Sequence, residues 1–228
     1  MQEAMTKITS EGIISDGIRM VNKEYGVDEV LNNILRLCNP IDIKKRAGVA
    51  SRNSLSHWQQ VVVIVDEIIR LMEVHGWGIA RYKNFVYVYN GMRWRQAEDE
   101  KLIRFVGKAA QRMGINPILA RHFDYRGKLL NQLHTAIHHA TISRTGSTLI
   151  NLANGTLEIE EESVELRPFD KDDFLTYRLP FIYDPSAIPN KFIKYLDRVL
   201  PHAELQYVLA EYIGYLFVPT WKMKMEKS

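Results

Sequence analysis

Apolar residues recur three and four positions apart over most of the N-terminal third of the chain, which is the spacing of a helix. Residues 5–24 and 28–37 both carry this pattern, and a third helix is predicted over residues 54–74. Ser54 or the residue before it is suited to cap the start of that third helix. This first part, residues 1–75, is therefore predicted to be helical.

After residue 76 the spacing of apolar residues changes to the alternation typical of β-strands. Residues 77–96 are rich in aromatic and β-branched residues, and an Asn-Gly pair at positions 90 and 91 divides them. An Asn-Gly pair between such runs is a strong hairpin signal. Residues 148–168 repeat the alternation, with a second Asn-Gly pair at positions 154 and 155. Both stretches predict small antiparallel β-meanders.

Helical spacing returns between the two strand regions and again at the end of the chain. Helices are predicted there over residues 98–114, 117–123, 129–142, 190–200 and 202–217. The alternation of helical and strand regions predicts an α+β fold, with residues 76–228 as an α+β domain after the helical region. Gly214 lies inside the last helix, and an interior glycine indicates close approach by another segment.

Composition narrows the class of protein. Hydrophobic residues make up 46% and charged residues 25% of the 228 positions, which is ordinary for a soluble globular protein. Cys38 is the only cysteine, so a disulfide framework and a cysteine-rich zinc site are excluded. No signal peptide and no apolar run long enough for a bilayer is visible, which predicts a cytoplasmic protein without a membrane partner. The net charge of +3 permits nucleic acid as a partner.

Motifs for nucleotide hydrolysis are missing from the sequence. Gly12 and Gly17 have the outer spacing of a phosphate-binding loop, but Ile18 stands where that loop requires lysine. No Gly-x-Ser-x-Gly nucleophile turn is present either. We therefore expect no catalytic residue, no bound cofactor and no enzymatic activity in this chain.

Two short motifs have a chemical and a structural interpretation. His134 and His138 are four positions apart on a predicted helix, which can place two imidazoles on one metal. No carboxylate neighbours them in sequence, so surface or partly buried histidines are the favoured interpretation and no metal site is predicted. Asp170 and Asp172 match the paired carboxylates of two-metal enzymes, but they also suit a turn between extended segments.

The first meander mixes aromatic and basic residues, as the surfaces that bind single-stranded nucleic acid do. On its central strand Phe85, Tyr87 and Tyr89 share one face, and Val86 and Val88 share the other. One of these faces must be buried, so at most one of them can stack bases.

A basic stripe follows the first meander. At 100° per residue, four cations of the helix over residues 98–114 fall within about 80° of one another; they are Lys101, Arg104, Lys108 and Arg112. The stripe fits a solvated helix face or a contact to the DNA backbone, helped by Arg93 and Arg95 from the hairpin. Such a contact would be independent of DNA sequence, because phosphates carry no base information.

The second half of the chain resembles a known family. Four short pieces occur in its order, and they are Asn154-Gly155-Thr156, Leu179-Pro180, Tyr183-Asp184-Pro185 and Gly214-Tyr215. The stretch "YVYNGMRWRQAEDEKLIRFV" is similar to an earlier part of the same domain. These pieces resemble the domain that precedes the helicase core in phage and plasmid primase–helicases of helicase superfamily 3, to which the poxvirus primase–helicase is related.

The resemblance implies a role as well as a fold. The parent protein would be an ATP-dependent DNA helicase, often fused to a primase, that uses ATP and magnesium and self-associates as a ring in a bacterial host. This chain would be its non-catalytic accessory domain, ending before the ATPase and acting in DNA replication by contacting DNA or arranging subunits. The alternatives are an oligomerisation or docking module without DNA affinity and a stand-alone DNA-binding regulator.

Overall fold

The computed structural model describes residues 24–50, 52–140 and 146–217. Within these residues the chain forms helices α1 (Val27–Leu37), α2 (Ile43–Arg46), α3 (His57–Val74), α4 (Asp99–Arg112), α5 (Pro117–Arg121), α6 (Phe123–Ala136), α7 (Asn190–Val199) and α8 (Ala203–Tyr215). Its strands are β1 (Gly78–Tyr82), β2 (Phe85–Tyr89), β3 (Trp94–Ala97), β4 (Thr148–Leu152), β5 (Gly155–Ile159) and β6 (Val164–Arg167). The helix predicted over residues 5–24 lies outside the described residues, apart from its last position.

The strands form two separate antiparallel sheets in the orders β1-β2-β3 and β4-β5-β6, which confirms the α+β class and both meanders. The chain divides into two compact units. Unit 1 is the described part of Met1–Ser143 together with Phe169–Tyr177, and unit 2 is the described part of Arg144–Pro168 and Arg178–Ser228. The sequence predicted a boundary between residues 75 and 76, which does not coincide with the boundaries of these units. It stays a prediction.

Unit 1 is built around a core of helices and one face of the first sheet. Helix α1 buries Val30 and Ile34 completely, and α3 does the same with Ile64 and Ile68. From α4, Leu102 joins the same cluster. Full burial of one such side chain contributes about 1.5–3 kcal/mol, so this cluster is what holds α1 and α4 side by side.

Helix α3 begins at His57, three residues later than the start predicted at residue 54. Ser56 is its N-cap, because the Ser56 hydroxyl accepts a hydrogen bond from the Gln59 N–H and the Gln59 side chain accepts one from the Ser56 N–H. This reciprocal pair satisfies two donors that the helix start would otherwise leave open. Gly76, just past the helix, has a φ of +73°, as expected for a helix stop.

Helix α6 differs more from its prediction over residues 129–142. It begins at Phe123, because Tyr125 and Leu129 continue the buried stripe towards the N-terminus. It ends at Ala136, since the chain then extends and pairs with β1. The Arg81 N–H donates to the His138 carbonyl and the Ala140 N–H donates to the Arg81 carbonyl, at 3.0 and 2.8 Å.

The first sheet is covered on both faces. Val86 and Val88 of β2 belong to the main core. On the other face Tyr89, Trp94 and their neighbours form a second cluster that Phe174 completes. Phe174 has a φ of +50°, which is uncommon for a bulky residue and costs of order 1–3 kcal/mol. Its burial at 7% exposure offsets that cost.

A buried carboxylate fastens α2 to α3. Glu67 of α3 is only 4% exposed and accepts hydrogen bonds from Arg46 of α2 and, at 2.8 Å to each oxygen, from Arg70. The hydrogen bonds from Arg70, and then the charge of Arg46, hold the pKa of Glu67 below its ordinary value against the effect of burial. The ionised form is therefore the one that stabilises the fold.

We expect Glu67→Gln to lower the free energy of unfolding at neutral pH by about 1–2 kcal/mol, because two guanidinium groups lose a charged acceptor. A lowered folded-state pKa gives stability that is complete above the unfolded pKa, about 4.3, and is lost as pH falls through the folded-state value. The free energy of unfolding of the variant should therefore fall less steeply as the pH is lowered. Urea unfolding at several pH values measures both effects. Glu73→Gln, at an exposed position of the same helix, is the control. Equal changes in both variants would contradict the stabilising role of the Glu67 carboxylate.

Unit 2 is built on the second sheet. Ile150, Leu152 and Leu157 form its small apolar core. The chain after Arg178 returns alongside β4, where the Leu179 N–H donates to the Asn151 carbonyl at 2.8 Å. Gly155, at the first hairpin turn, has a φ of +152°, and a Cβ atom there would lie 2.6 Å from a backbone oxygen of β6.

Helices α7 and α8 close the described chain, and neither buries a residue. Among the described residues, a Cβ atom at Gly214 would meet nothing within 4 Å, so no described segment packs against Gly214 and the expected close approach stays a prediction. The glycine lies on an exposed helix. None of the helices in residues 24–50, 52–140 and 146–217 is long and apolar enough to cross a membrane.

Candidate functional site

A groove runs between α1 and α4, and the basic stripe of α4 faces it. Helix α4 buries Leu102, Val106 and Ala109 in the core that it shares with α1, and its cations lie on the flank of α4 that borders α1. Two adjoining cavities of about 240 and 430 Å³ make up the groove. The predicted residues that line it are Lys101, Arg104, Lys108 and Arg112. The structure therefore brings all four cations of the stripe together.

Two of these cations are engaged with α1. The Lys101 ammonium lies 3.1 Å from an Asp28 carboxylate oxygen, and this ion pair bridges the start of α1 to α4. The Arg112 guanidinium donates to the Leu35 carbonyl in the last turn of α1. From the described backbone, the same carbonyl accepts only a 3.3 Å hydrogen bond, from the Cys38 N–H, and a cation at this end of a helix also interacts favourably with the helix dipole. Lys101 and Arg112 therefore have a positioning role in the fold.

The other two cations remain more accessible. Within the described part of the chain, the Arg104 side chain makes polar contacts only with Glu100, one turn earlier, including an ion pair of 3.2 Å, and both side chains are well exposed. An exposed pair of this kind contributes less than about 1 kcal/mol and exchanges readily with another anion. Among the described residues, the Lys108 ammonium group makes no hydrogen bond and no ion pair, and Lys108 lines both cavities. Arg104 and Lys108 are thus the cations of the stripe best placed to meet a ligand.

The opposite wall of the groove was not found from the sequence. It comes from α1, where Asn32 and Arg36 line the larger cavity, and Gln111 of α4 joins them. To the residues that the structure describes, the Arg36 guanidinium makes one weak hydrogen bond, at 3.4 Å to the Asn33 side chain. No signal in the α1 sequence marks these residues, because only the packing of α1 against α4 brings them to the stripe.

Arg93 and Arg95 do not line the groove. The Arg93 guanidinium lies 2.7 Å from a carboxylate oxygen of Glu24, and the Arg95 guanidinium lies 3.5 Å from the same atom. Glu24 therefore neutralises part of the charge that these two residues offer. Their predicted contact with DNA stays a prediction.

The aromatic side chains of the meander are not an open stacking surface. The Phe174 ring lies over this face, with its centroid 5.1 Å from the Trp94 ring and 5.4 Å from the Tyr87 ring. Burial raises the pKa of Tyr89 to about 12, with further contributions from Asp170 and Asp173, so its hydroxyl stays neutral at physiological pH. Only Phe85, which is half exposed, keeps a free ring on this strand.

The two weak motifs have structural roles. His134 lies on α6, 3.4 Å from an Asp99 oxygen, whereas His138 lies beyond the end of that helix. The predicted helical spacing of the two imidazoles is therefore wrong. Asp170 accepts a hydrogen bond from the Asp172 N–H at 2.9 Å, as turn chemistry predicts. Within the described ranges, no group of three or more histidine, cysteine or acidic side chains could hold a metal ion.

An apolar surface on α7 and α8 is the other candidate site. Helix α8 carries apolar residues on nearly all sides and only two charged ones, Glu204 and Glu211. A helix of this composition is normally buried. Here Tyr207 is 72% exposed and Tyr212 is 62% exposed. The large apolar residues of this pair that are at least two fifths exposed also include Phe192, Ile193, Tyr195, Val199, Leu205, Val208 and Tyr215.

Comparison with known proteins identifies the domain. The family model described as D5 N terminal like matches residues 68–201, from within α3 to just after α7. No curated protein matches the chain. The match covers more than half of the chain and includes residues of both units. The chain therefore belongs to the D5 N-terminal-like family, the domain that precedes the helicase core in phage and plasmid primase–helicases.

Proposed function

We propose that this chain is a non-catalytic accessory domain of a phage or plasmid DNA primase–helicase that acts in replication by contacting DNA. ATP and magnesium would serve the parent protein, which would self-associate in the cytoplasm of a bacterial host. This chain would neither hydrolyse ATP nor synthesise primers. Phosphate release or primer synthesis above a matched mock purification would overturn that part of the proposal.

The observation that carries the proposal is the convergence of the basic stripe on one groove. Four cations of α4 and Arg36 of α1 line it, and among the described residues Asp28 is the single carboxylate that lines it. A groove with this excess of positive charge attracts phosphates whatever the base sequence. The affinity of one copy would be low, and several copies in one assembly would raise it through effective concentration.

Fluorescence anisotropy with labelled DNA at several salt concentrations tests the proposal. The chain should bind at low salt and lose affinity as salt rises. Replacing Arg104 and Lys108 together by glutamate should lower the affinity at least tenfold, because two attractive charges become repulsive. The control is the pair Lys45→Glu and Lys128→Glu, which makes the same change in net charge outside the groove. An absence of binding at low salt, or equal losses in both pairs, would contradict a DNA contact by this surface.

A second candidate function is docking to the helicase core of the parent protein. The apolar surface of α7 and α8 favours it, because these helices lie at and beyond the C-terminal end of the family match. In this family the helicase core follows the domain. Five aromatic rings, each about half exposed or more, offer on the order of 500 Å² of apolar surface, a large part of one side of a standard interface.

We expect the double variant Phe192→Lys and Tyr212→Lys to keep the stability of the isolated chain within about 0.5 kcal/mol, because neither side chain is buried. In the full-length parent the same variant should weaken the association between this domain and the helicase core. Thermal unfolding of the chain and limited proteolysis between the two domains of the parent measure these effects. A loss of several degrees in the isolated chain would show that the helices pack within it, and the docking function would be wrong.

A further inference from the structure

We infer that the groove between α1 and α4 binds single-stranded DNA, and that Arg36, Arg104 and Lys108 are its phosphate contacts. This inference depends on the proposed DNA contact and narrows it in two ways. It names the form of DNA that the groove accepts. It also separates the cations that meet the ligand from the cations that hold the groove together.

The size of the groove favours a single strand. The larger cavity has a volume of about 430 Å³, and the smaller one, of about 240 Å³, adjoins it. Pockets of about 300–1,000 Å³ hold small organic ligands, so one nucleotide fits and a duplex does not. A duplex could touch only the rim of the groove, whereas a flexible strand can place a nucleotide inside it.

The chemistry of the larger cavity suits one nucleotide. Lys108 and Arg36 line it from opposite helices, which places a cation on either side of a bound phosphate. Asn32 and Gln111 line the same cavity, and their amide groups both donate and accept hydrogen bonds. The edges of bases are open to such groups in a single strand and are paired with each other in a duplex.

The existing contacts decide which cations are available, because those of Lys101 and Arg112 join α1 to α4, whereas the Arg104–Glu100 pair lies within α4. Lys101 is held by Asp28, and Arg112 by the Leu35 carbonyl, so neither is free to meet a phosphate without breaking a contact between the two helices. Each phosphate neutralised on a single strand contributes about −0.7 to the slope of log affinity against log salt. Three contacts therefore predict a slope of about −2 in place of about −2.8 for the four cations of the stripe.

Variants with opposite expected effects test this inference. Lys108→Ala and Arg36→Ala should each make the slope with a labelled oligothymidylate shallower by about 0.7. Asp28→Asn should make it steeper by about 0.7, because it removes a negative charge from the groove and releases Lys101 for a further phosphate. Lys45→Ala, which removes a positive charge outside the groove, should leave the slope unchanged. Thermal unfolding of each variant shows that the fold is intact.

A duplex of the same length and label completes the experiment. It should bind more weakly than the single strand, and the groove variants should change its affinity less. If the wild-type chain binds neither form of DNA, both the proposed function and this inference are wrong. If it binds DNA but Lys108→Ala and Arg36→Ala leave the slope unchanged, or if the duplex binds more tightly, the inference alone is overturned and the DNA contact lies on another surface.

Discussion

Replacing Phe174 by alanine is expected to lower the free energy of unfolding by about 3–5 kcal/mol, the usual cost of deleting a buried aromatic ring. The ring is 7% exposed and packs against Trp94, Tyr82 and Tyr87. At about 2–4 °C per kcal/mol for a chain of this size, the melting temperature should fall by roughly 10 °C. Calorimetry or circular dichroism measures this change.

The fluorescence of Trp94 adds a local measurement. Its indole N–H donates to the Lys171 carbonyl at 2.7 Å, and its backbone N–H donates to the Leu175 carbonyl at 2.8 Å. Loss of the Phe174 ring should loosen this segment and shift the tryptophan emission to longer wavelength. Phe123→Ala is the matched control, because that ring is 80% exposed. Similar losses of stability in both variants would show that Phe174 does not hold the segment in place.

Gly155→Ala is the substitution from which we expect the largest effect on unit 2. Only glycine adopts a φ of +152° without backbone strain, and a new Cβ atom would lie 2.6 Å from the Arg167 carbonyl oxygen. The backbone of β5 or β6 must move, and strain and lost sheet hydrogen bonds should together cost about 3 kcal/mol or more. Urea unfolding monitored by circular dichroism measures the loss.

Gly127→Ala is the control for this prediction. Gly127 lies within α6, where a Cβ atom would meet nothing within 4 Å. Alanine at such a position should stabilise the helix by about 0.5–1 kcal/mol. The two glycine substitutions should thus have opposite signs. A neutral or stabilising effect of Gly155→Ala would mean that the turn between β4 and β5 can adopt another conformation.

The spacing of apolar residues and the turn motifs predicted most of the helices and strands, because each of these patterns extends over only a few neighbouring residues. The spacing of Val30 and Ile34 gives α1, and the Asn-Gly turns give both meanders. The exact start of α3 was missed because Ser54 and Ser56 are both good caps by type. Only the side chain of Gln59, which reaches back to Ser56, decides between them. The start of α6 was missed because the helix predicted over residues 117–123 included Phe123, whereas α5 ends at Arg121 and α6 begins at Phe123.

Contacts that are distant in sequence limited the prediction of the site. The stripe of α4 could be recognised because its four cations lie on one helix. Whether Lys101 and Arg112 were free could not be recognised, since their partners are on α1, 73 and 77 residues away. The same limit applies to the aromatic strand. Its alternation shows that two faces exist, but nothing near it in sequence indicates that Phe174 covers one of them.

The position of Phe174 along the chain has a consequence for synthesis on the ribosome. Phe169–Tyr177 belongs to unit 1, yet the ribosome makes it only after the strands of unit 2. The hydrogen bond from the Trp94 indole to the Lys171 carbonyl can form only after another 77 residues have been synthesised. At about 5–20 residues per second, the aromatic face of the first sheet stays uncovered for roughly 4–15 s during translation. The nascent chain therefore exposes an apolar surface for seconds. We expect chaperones to bind this surface during translation, although the folded protein buries it.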